Sequence, residues 1–124
     1  MPDLKSITPV LKVADMRRAV DFYNRVLGFM VCWQAANDGG GDNCMLESGT
    51  TKLLLSTGSH LGEKPAFTGT LYFDMAGVEN FFNQIKNKVE IVWPLEAMDY
   101  GQIEFGIRDL DGYTLAFAEA QKNR

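Results

Sequence analysis

The chain is poor in the residues that most often build metal and redox centres. Its 124 residues include one histidine, His60, and two cysteines, Cys32 and Cys44. A centre assembled from several imidazoles is therefore excluded, and so is a disulfide framework, which takes four or more cysteines. If residues 29–36 and 43–47 form a hairpin, simple pairing sets Cys32 near Glu47 and not opposite Cys44. That speaks against a disulfide or a Cys-based zinc site and predicts two buried thiols. Basic charge is also short: 12 Lys and Arg face 16 Asp and Glu, for a net charge of −4. A nucleic-acid partner would demand the opposite balance. Lys86 and Lys88, beside Asn87, read as a solvated helix end. An acidic chain suits a neutral or cationic small ligand. No apolar run approaches the roughly 20 residues of a membrane span. The start, MPDLKSITPV, lacks the basic and apolar regions of a signal peptide. The expectation is a cytoplasmic protein with no membrane partner.

What is present is periodic. SITPVLKV reads as a strand. Asp15 is a fitting N-cap, and Met16, Ala19, Val20, Tyr23, Val26 and Leu27 follow at helical spacing up to Gly28. FMVCWQAA is a strand, NDGGGDN a flexible loop, and CMLESG and TKLLLSTG two further strands. No helix follows the glycines of that loop, so it is not a phosphate cradle. Residues 57–69, TGSHLGEKPAFTG, read as a linker, on which the lone His60 is solvated. Then TLYFDM is a strand, and Val78, Phe81, Phe82 and Ile85 mark a second helix. VEIVW is a strand ended by Pro94, and QIEFGIR and YTLAFAE are strands joined through DLDG.

The order strand, helix, three strands thus occurs twice. FYN at residues 22–24 is echoed by FFN at 81–83. A repeat of half the chain indicates two βαβββ modules, about 6–57 and 69–120, in a single α+β domain. One helix covers only one face of each sheet. The other face must meet a second sheet, another subunit or a cavity. On the last strand, Thr114, Ala116 and Ala118 alternate with Leu115, Phe117 and Glu119. Successive strand residues face opposite ways, so one face is small at all three positions. Either a cavity opens there or large neighbours fill the room.

These features resemble the vicinal oxygen chelate superfamily, which includes glyoxalase I, extradiol dioxygenases, fosfomycin resistance enzymes and bleomycin resistance proteins. The residues that carry the resemblance are ITPVLKVADMRRAVDFYNRVLGF near the start and YGQIEFGIRDLDGYTLAFAE near the end. It implies a curved mixed sheet around a cavity and a homodimer. In metal-using members, His, Gln or Glu occupy four cavity-facing positions. Carried over residue by residue, these fall on Thr8, Thr70, Ala116 and about Leu54. None offers an imidazole or carboxylate, so the expectation is no metal and no cofactor. Glu119 shares a face with Leu115 and Phe117, opposite Ala116, and is not taken as a ligand. The cavity face of the first strand would carry Thr8, Val10 and Lys12, and its counterpart Thr70, Tyr72 and Asp74. Trp33, Leu54, Trp93 and Glu104 would complete the lining. Aromatic walls with a few polar groups suit a small-molecule pocket.

Three functions follow from this reading. The first is metal-free binding of an aromatic or cationic compound by sequestration, as in the bleomycin resistance branch, with antibiotic resistance as its setting. The second is a lyase or dioxygenase with unusual ligands, for instance Asp74 and Glu104. The third is a dimeric interaction domain without a ligand.

Overall fold

The computed structural model describes residues 2–37 and 41–121. It divides into two compact units, residues 1–65 and 66–124. Each carries a four-stranded mixed sheet and an α-helix, and the first also has a short 3-10 turn at Ser59–Leu61.

In the first unit, β1 (Val10–Lys12), β2 (Met30–Asn37), β3 (Gly41–Ser48) and β4 (Thr51–Ser56) lie in the order β1-β4-β3-β2. β1 runs parallel to β4, and the other pairs are antiparallel. β1 is shorter than the expected strand over 6–13. Thr8 lies outside it, ahead of Pro9, whose nitrogen has no hydrogen to give the ladder. The chain then enters α1 (Met16–Asp21), where the Asp15 side chain accepts from the Arg18 amide at 3.0 Å. After Asp21 the helix widens into a π turn over Phe22–Val26. The extra residue per turn shifts the expected stripe and buries Phe22 beside Tyr23, ring edge to ring face at 5.7 Å. Gly28, at φ +83°, ends the segment. Leu11, Val13, Tyr23, Leu46, Leu53 and Leu55 form the core of this unit. Each apolar side chain of this size stabilises by about 1.5–3 kcal/mol on burial.

The expected loop over residues 37–43 is shorter than its sequence suggests. Asn37 closes β2 and Gly41 opens β3; residues 38–40 lie outside the described residues. A bulge at Cys32 sets Trp33 opposite Met45 and Gln34 opposite Cys44. Both cysteines are free. Cys44 is buried, but Cys32 is exposed, contrary to the expectation of two buried thiols, because its strand lies at the sheet edge. Desolvation, and then the hydrogen bond from its thiol to Glu47, push the Cys32 thiol up.

In the second unit, β5 (Thr70–Asp74), β6 (Glu90–Ala97), β7 (Gln102–Arg108) and β8 (Thr114–Ala120) lie in the order β5-β8-β7-β6. β5 is parallel to β8, with the remaining pairs antiparallel. β6 runs on through Pro94, where the sequence predicted an end. It is an edge strand, so a missing N–H interrupts no central ladder, although the register shifts between Trp93 and Glu96. α2 (Val78–Ile85) packs on one face of this sheet. Phe81 meets Phe105 and Phe117 at 6.0 and 5.1 Å, and Phe82 meets Phe105 at 5.0 Å. Leu115 and Phe117 thus lie on the helix side, as their alternation with Ala116 and Ala118 requires. Glu119 lies on that side too. Its Oε1 accepts from the Gly77 and Val78 amides at 3.1 Å, capping a helix whose own N-cap glycine has no side chain.

The DLDG turn is organised by Asp109. Its Oδ1 accepts from the amides of Asp111 and Tyr113 at 2.9 and 2.8 Å, and Gly112 takes φ +88°. A buried Asp at this place aligns β7 with β8 and so fixes which residues share the small face.

A carboxylate held by three aromatic donors

The small face of the second sheet can be read row by row from its register. Tyr72, Ala116, Gly106 and Trp93 form one row across β5, β8, β7 and β6. Asp74, Ala118, Glu104 and Glu96 form the next, and Thr70, Thr114, Arg108 and Glu90 lie on the other side. In the first row two large rings on the edge strands flank two small residues on the central strands. A Cβ on Gly106 would sit 2.5–2.6 Å from three atoms of the Trp93 indole. The indole therefore lies directly on the Gly106 backbone. The room left by the small face is filled, at that position, by a ring of the same chain. Ala116 and Ala118 expose no surface.

Glu104 stands beside this row and is only 3% exposed. A carboxylate taken out of water needs partners. Here all of those seen are aromatic side chains. The Tyr72 hydroxyl donates to Oε1 at 2.6 Å, and the Tyr100 hydroxyl donates to the same oxygen at 2.5 Å. The Trp93 indole N–H donates to Oε2 at 3.1 Å. The short phenol distances are those of charge-assisted bonds. Both phenols hold their protons more tightly than a free tyrosine. For Tyr72 the main cause is desolvation, followed by the bond to Glu104; for Tyr100 the bond to Glu104 leads. Yet Tyr72 is 51% and Tyr100 61% exposed. Their oxygens are tied to a buried carboxylate, so what they show to solvent is largely ring.

Of the residues expected to bind, the structure brings Tyr72, Trp93 and Glu104 into one cluster. Ala116 lies in the row beneath them. Thr70 and Asp74 flank Tyr72 along β5, both exposed. Tyr100 was missed by sequence reasoning. It sits in the turn between β6 and β7, four residues before Glu104, where a ring so close to a strand-borne carboxylate was the available signal. Trp33 and Leu54 are aligned in the first unit by an equivalent row, Val10, Leu54, Met45 and Trp33. Both rows have a bulge just before their tryptophan. Leu54 and Ala116 thus hold equivalent places in the two sheets, as the internal repeat implies. Trp33 is 46% exposed, and Thr8 is half-buried. The Lys12 ammonium donates to the Thr57 and Gly58 carbonyls at 2.8 and 3.0 Å.

The positions at which a divalent cation would be held, Thr8, Leu54, Thr70 and Ala116, carry two hydroxyls and two hydrocarbon side chains. That donor set does not fit such an ion, which takes imidazole, carboxylate or thiolate. Glu104 is no substitute, because three of its roughly four lone-pair sites already accept from aromatic donors. Among the described residues, no three of His, Cys, Asp and Glu come together as a metal-binding group. Among the described residues, no helix is long and apolar enough to cross a membrane.

Solved structures share this architecture. A protein of unknown function from Agrobacterium tumefaciens is 25% identical, with 97% of each chain covered and a TM-score of 0.73. TioX from a Micromonospora species is 21% identical over 94% of this chain and 98% of its own, at a TM-score of 0.76. TnmS3, an antibiotic binding protein from a Streptomyces species, is 16% identical over 98% of this chain and 100% of its own, at 0.77. No curated protein matches the sequence. Residues 6–117, which span both βαβββ repeats, match the profile of a single family. On that match and this fold, the chain belongs to the glyoxalase/bleomycin resistance protein/dioxygenase superfamily.

Proposed function

We propose that this chain is a metal-free small-molecule-binding protein that sequesters an aromatic cation. The observation that carries the reading is Glu104, a buried carboxylate whose three donors are the polar edges of Tyr72, Tyr100 and Trp93. Such a cluster presents aromatic surface backed by negative charge, which attracts a cation over a ring face by about 0.5–2 kcal/mol per contact. Ala116 serves by being small, since a larger side chain would part Tyr72 from Trp93. Asp74 and Thr70 border the site on β5. TnmS3, which shares the fold, is described as antibiotic binding, and an antibiotic bearing a charged ring system is a ligand of the proposed class.

Acid–base chemistry at Glu104 is less well supported. A general base needs a free lone pair aimed at its substrate, and three of the roughly four lone-pair sites of Glu104 already accept from aromatic donors. The proposal includes a homodimer, supported by the exposed Met30, Val31, Ile91 and Val92 on the edge strands β2 and β6. Sedimentation equilibrium tests that part, and a monomer at all concentrations would remove it.

The binding reading is tested by titrating the protein with N-methylquinolinium, a planar aromatic monocation, in chelator-treated buffer. Intrinsic tryptophan fluorescence is followed, and the compound is recovered afterwards. Saturable binding with the compound unchanged is the expected result. Binding that appears only after a transition metal is added, or consumption of the compound, would make the protein an enzyme of the same superfamily instead.

A further inference from the structure

Resting on that reading, we propose that the site built by Glu104, Tyr72, Tyr100 and Trp93 selects cations without N–H donors, such as quaternary ammonium groups, over protonated amines. The selectivity follows from what Glu104 has left to offer. A carboxylate has about four lone-pair sites, and three are filled by the two phenols and the indole. A primary ammonium gives up about three hydrogen bonds to water when it leaves solvent. Glu104 cannot replace them without releasing an aromatic partner. A quaternary ammonium has no such bonds to lose.

What remains for a cation is the ring surface, and the structure strengthens it. Each phenol that donates to a carboxylate is polarised toward phenolate, which raises electron density on its ring. The indole N–H is polarised in the same way. The rings of Tyr72 and Tyr100 are exposed while their hydroxyls are anchored on Glu104, so each offers aromatic surface tethered at its polar end. The surroundings are acidic. Asp74 and Glu96 lie in the same cross-strand row as Glu104, and Asp99 adjoins Tyr100. The basic residue on neighbouring positions, Arg108, is 3.7 Å from Glu90. Exposed carboxylates add long-range attraction for any cation. A direct ion pair with one of them is worth little in water, so they do not restore the advantage of a protonated amine.

The test uses the full chain and three probes with one common ring: benzyltrimethylammonium, benzylammonium and benzyl alcohol. Dissociation constants are measured by ligand-observed NMR at low ionic strength. The quaternary probe is expected to bind about tenfold tighter than either of the others. Tyr100→Leu, which removes an exposed ring, should cost most of that advantage, whereas Tyr100→Phe should keep the greater part of it. Benzylammonium binding as tightly as the quaternary probe would overturn the selectivity while leaving a cation binder. Benzyl alcohol binding equally well would overturn the charge requirement, and with it both the selectivity and the aromatic-cation reading. If none of the three binds, the site itself is misassigned and both readings fall.

Discussion

Gly106→Ala is the sharpest perturbation of the small face. Gly106 adopts no left-handed backbone conformation, so alanine is not opposed by the chain itself. Losing unfolded-state freedom would by itself make alanine stabilising, by about 0.4–1 kcal/mol. Against this stands the indole. The added Cβ would fall 2.5–2.6 Å from three Trp93 ring atoms, about 1 Å inside normal contact. The neighbour is a rigid ring, not the flexible end of a chain, so Trp93 must tilt or leave. Overpacking of this kind costs about 1–3 kcal/mol, and losing the indole N–H from Glu104 adds about 1–3 kcal/mol for a buried carboxylate short of a donor. The steric and polar costs exceed the entropic gain, and net destabilisation of about 1–5.5 kcal/mol is expected. Urea denaturation followed by circular dichroism measures it. The decisive control is the same substitution in a Trp93→Leu background, where the ring is gone and alanine should be neutral or slightly stabilising. A coupling energy below about 0.5 kcal/mol between the two positions would refute the account of why this face is small.

Other expectations follow from the same contacts. Tyr72→Phe and Tyr100→Phe each remove one charge-assisted donor from Glu104; Tyr72→Phe should cost about 1 kcal/mol by chemical denaturation and the more exposed Tyr100→Phe less, and no measurable cost at Tyr72 would show that water replaces its hydroxyl freely. Both phenols hold their protons more tightly when folded, so stability should be intact below pH 10 and fall as pH rises above it, the unfolded chain ionising first. Tyrosinate absorbance should show a late-ionising step that shrinks in Tyr72→Phe; identical titrations would contradict the Glu104 cluster. Glu119→Ala should cost about 1 kcal/mol through loss of the α2 cap, with smaller loss in Glu119→Gln, and ligand binding should be unchanged. A binding defect in Glu119→Ala without a stability change would move Glu119 to the site.

The two modules, their strand order along the chain and the helix-facing role of Leu115 and Phe117 were legible in the sequence, because period-two and period-3.6 patterns depend only on neighbours in the chain. The turn at DLDG was legible for the same reason: Asp109 and Gly112 act on amides a few residues away. The matching places of Leu54 and Ala116 were implied by the family resemblance. What lies above the small face did not. Alternation assigns Ala116 and Ala118 to one face, but only the register of β7 on β8 sets Gly106 beside Ala116, and only that of β6 on β7 brings Trp93 onto Gly106 through bulges no local pattern announces. Local signals likewise placed an end at Pro94, where the edge position of β6 lets the strand continue. Glu104 could be named as a carboxylate to watch. Its three partners come from β5, from β6 and from a turn, at 32, 11 and 4 residues' separation, and Tyr100 was missed for that reason. Sequence determined which residues were small, aromatic or charged and which face each took. Tertiary structure alone decided that three aromatic donors converge on one acidic group, since convergence depends on strand pairing across the sheet and not on spacing along the chain.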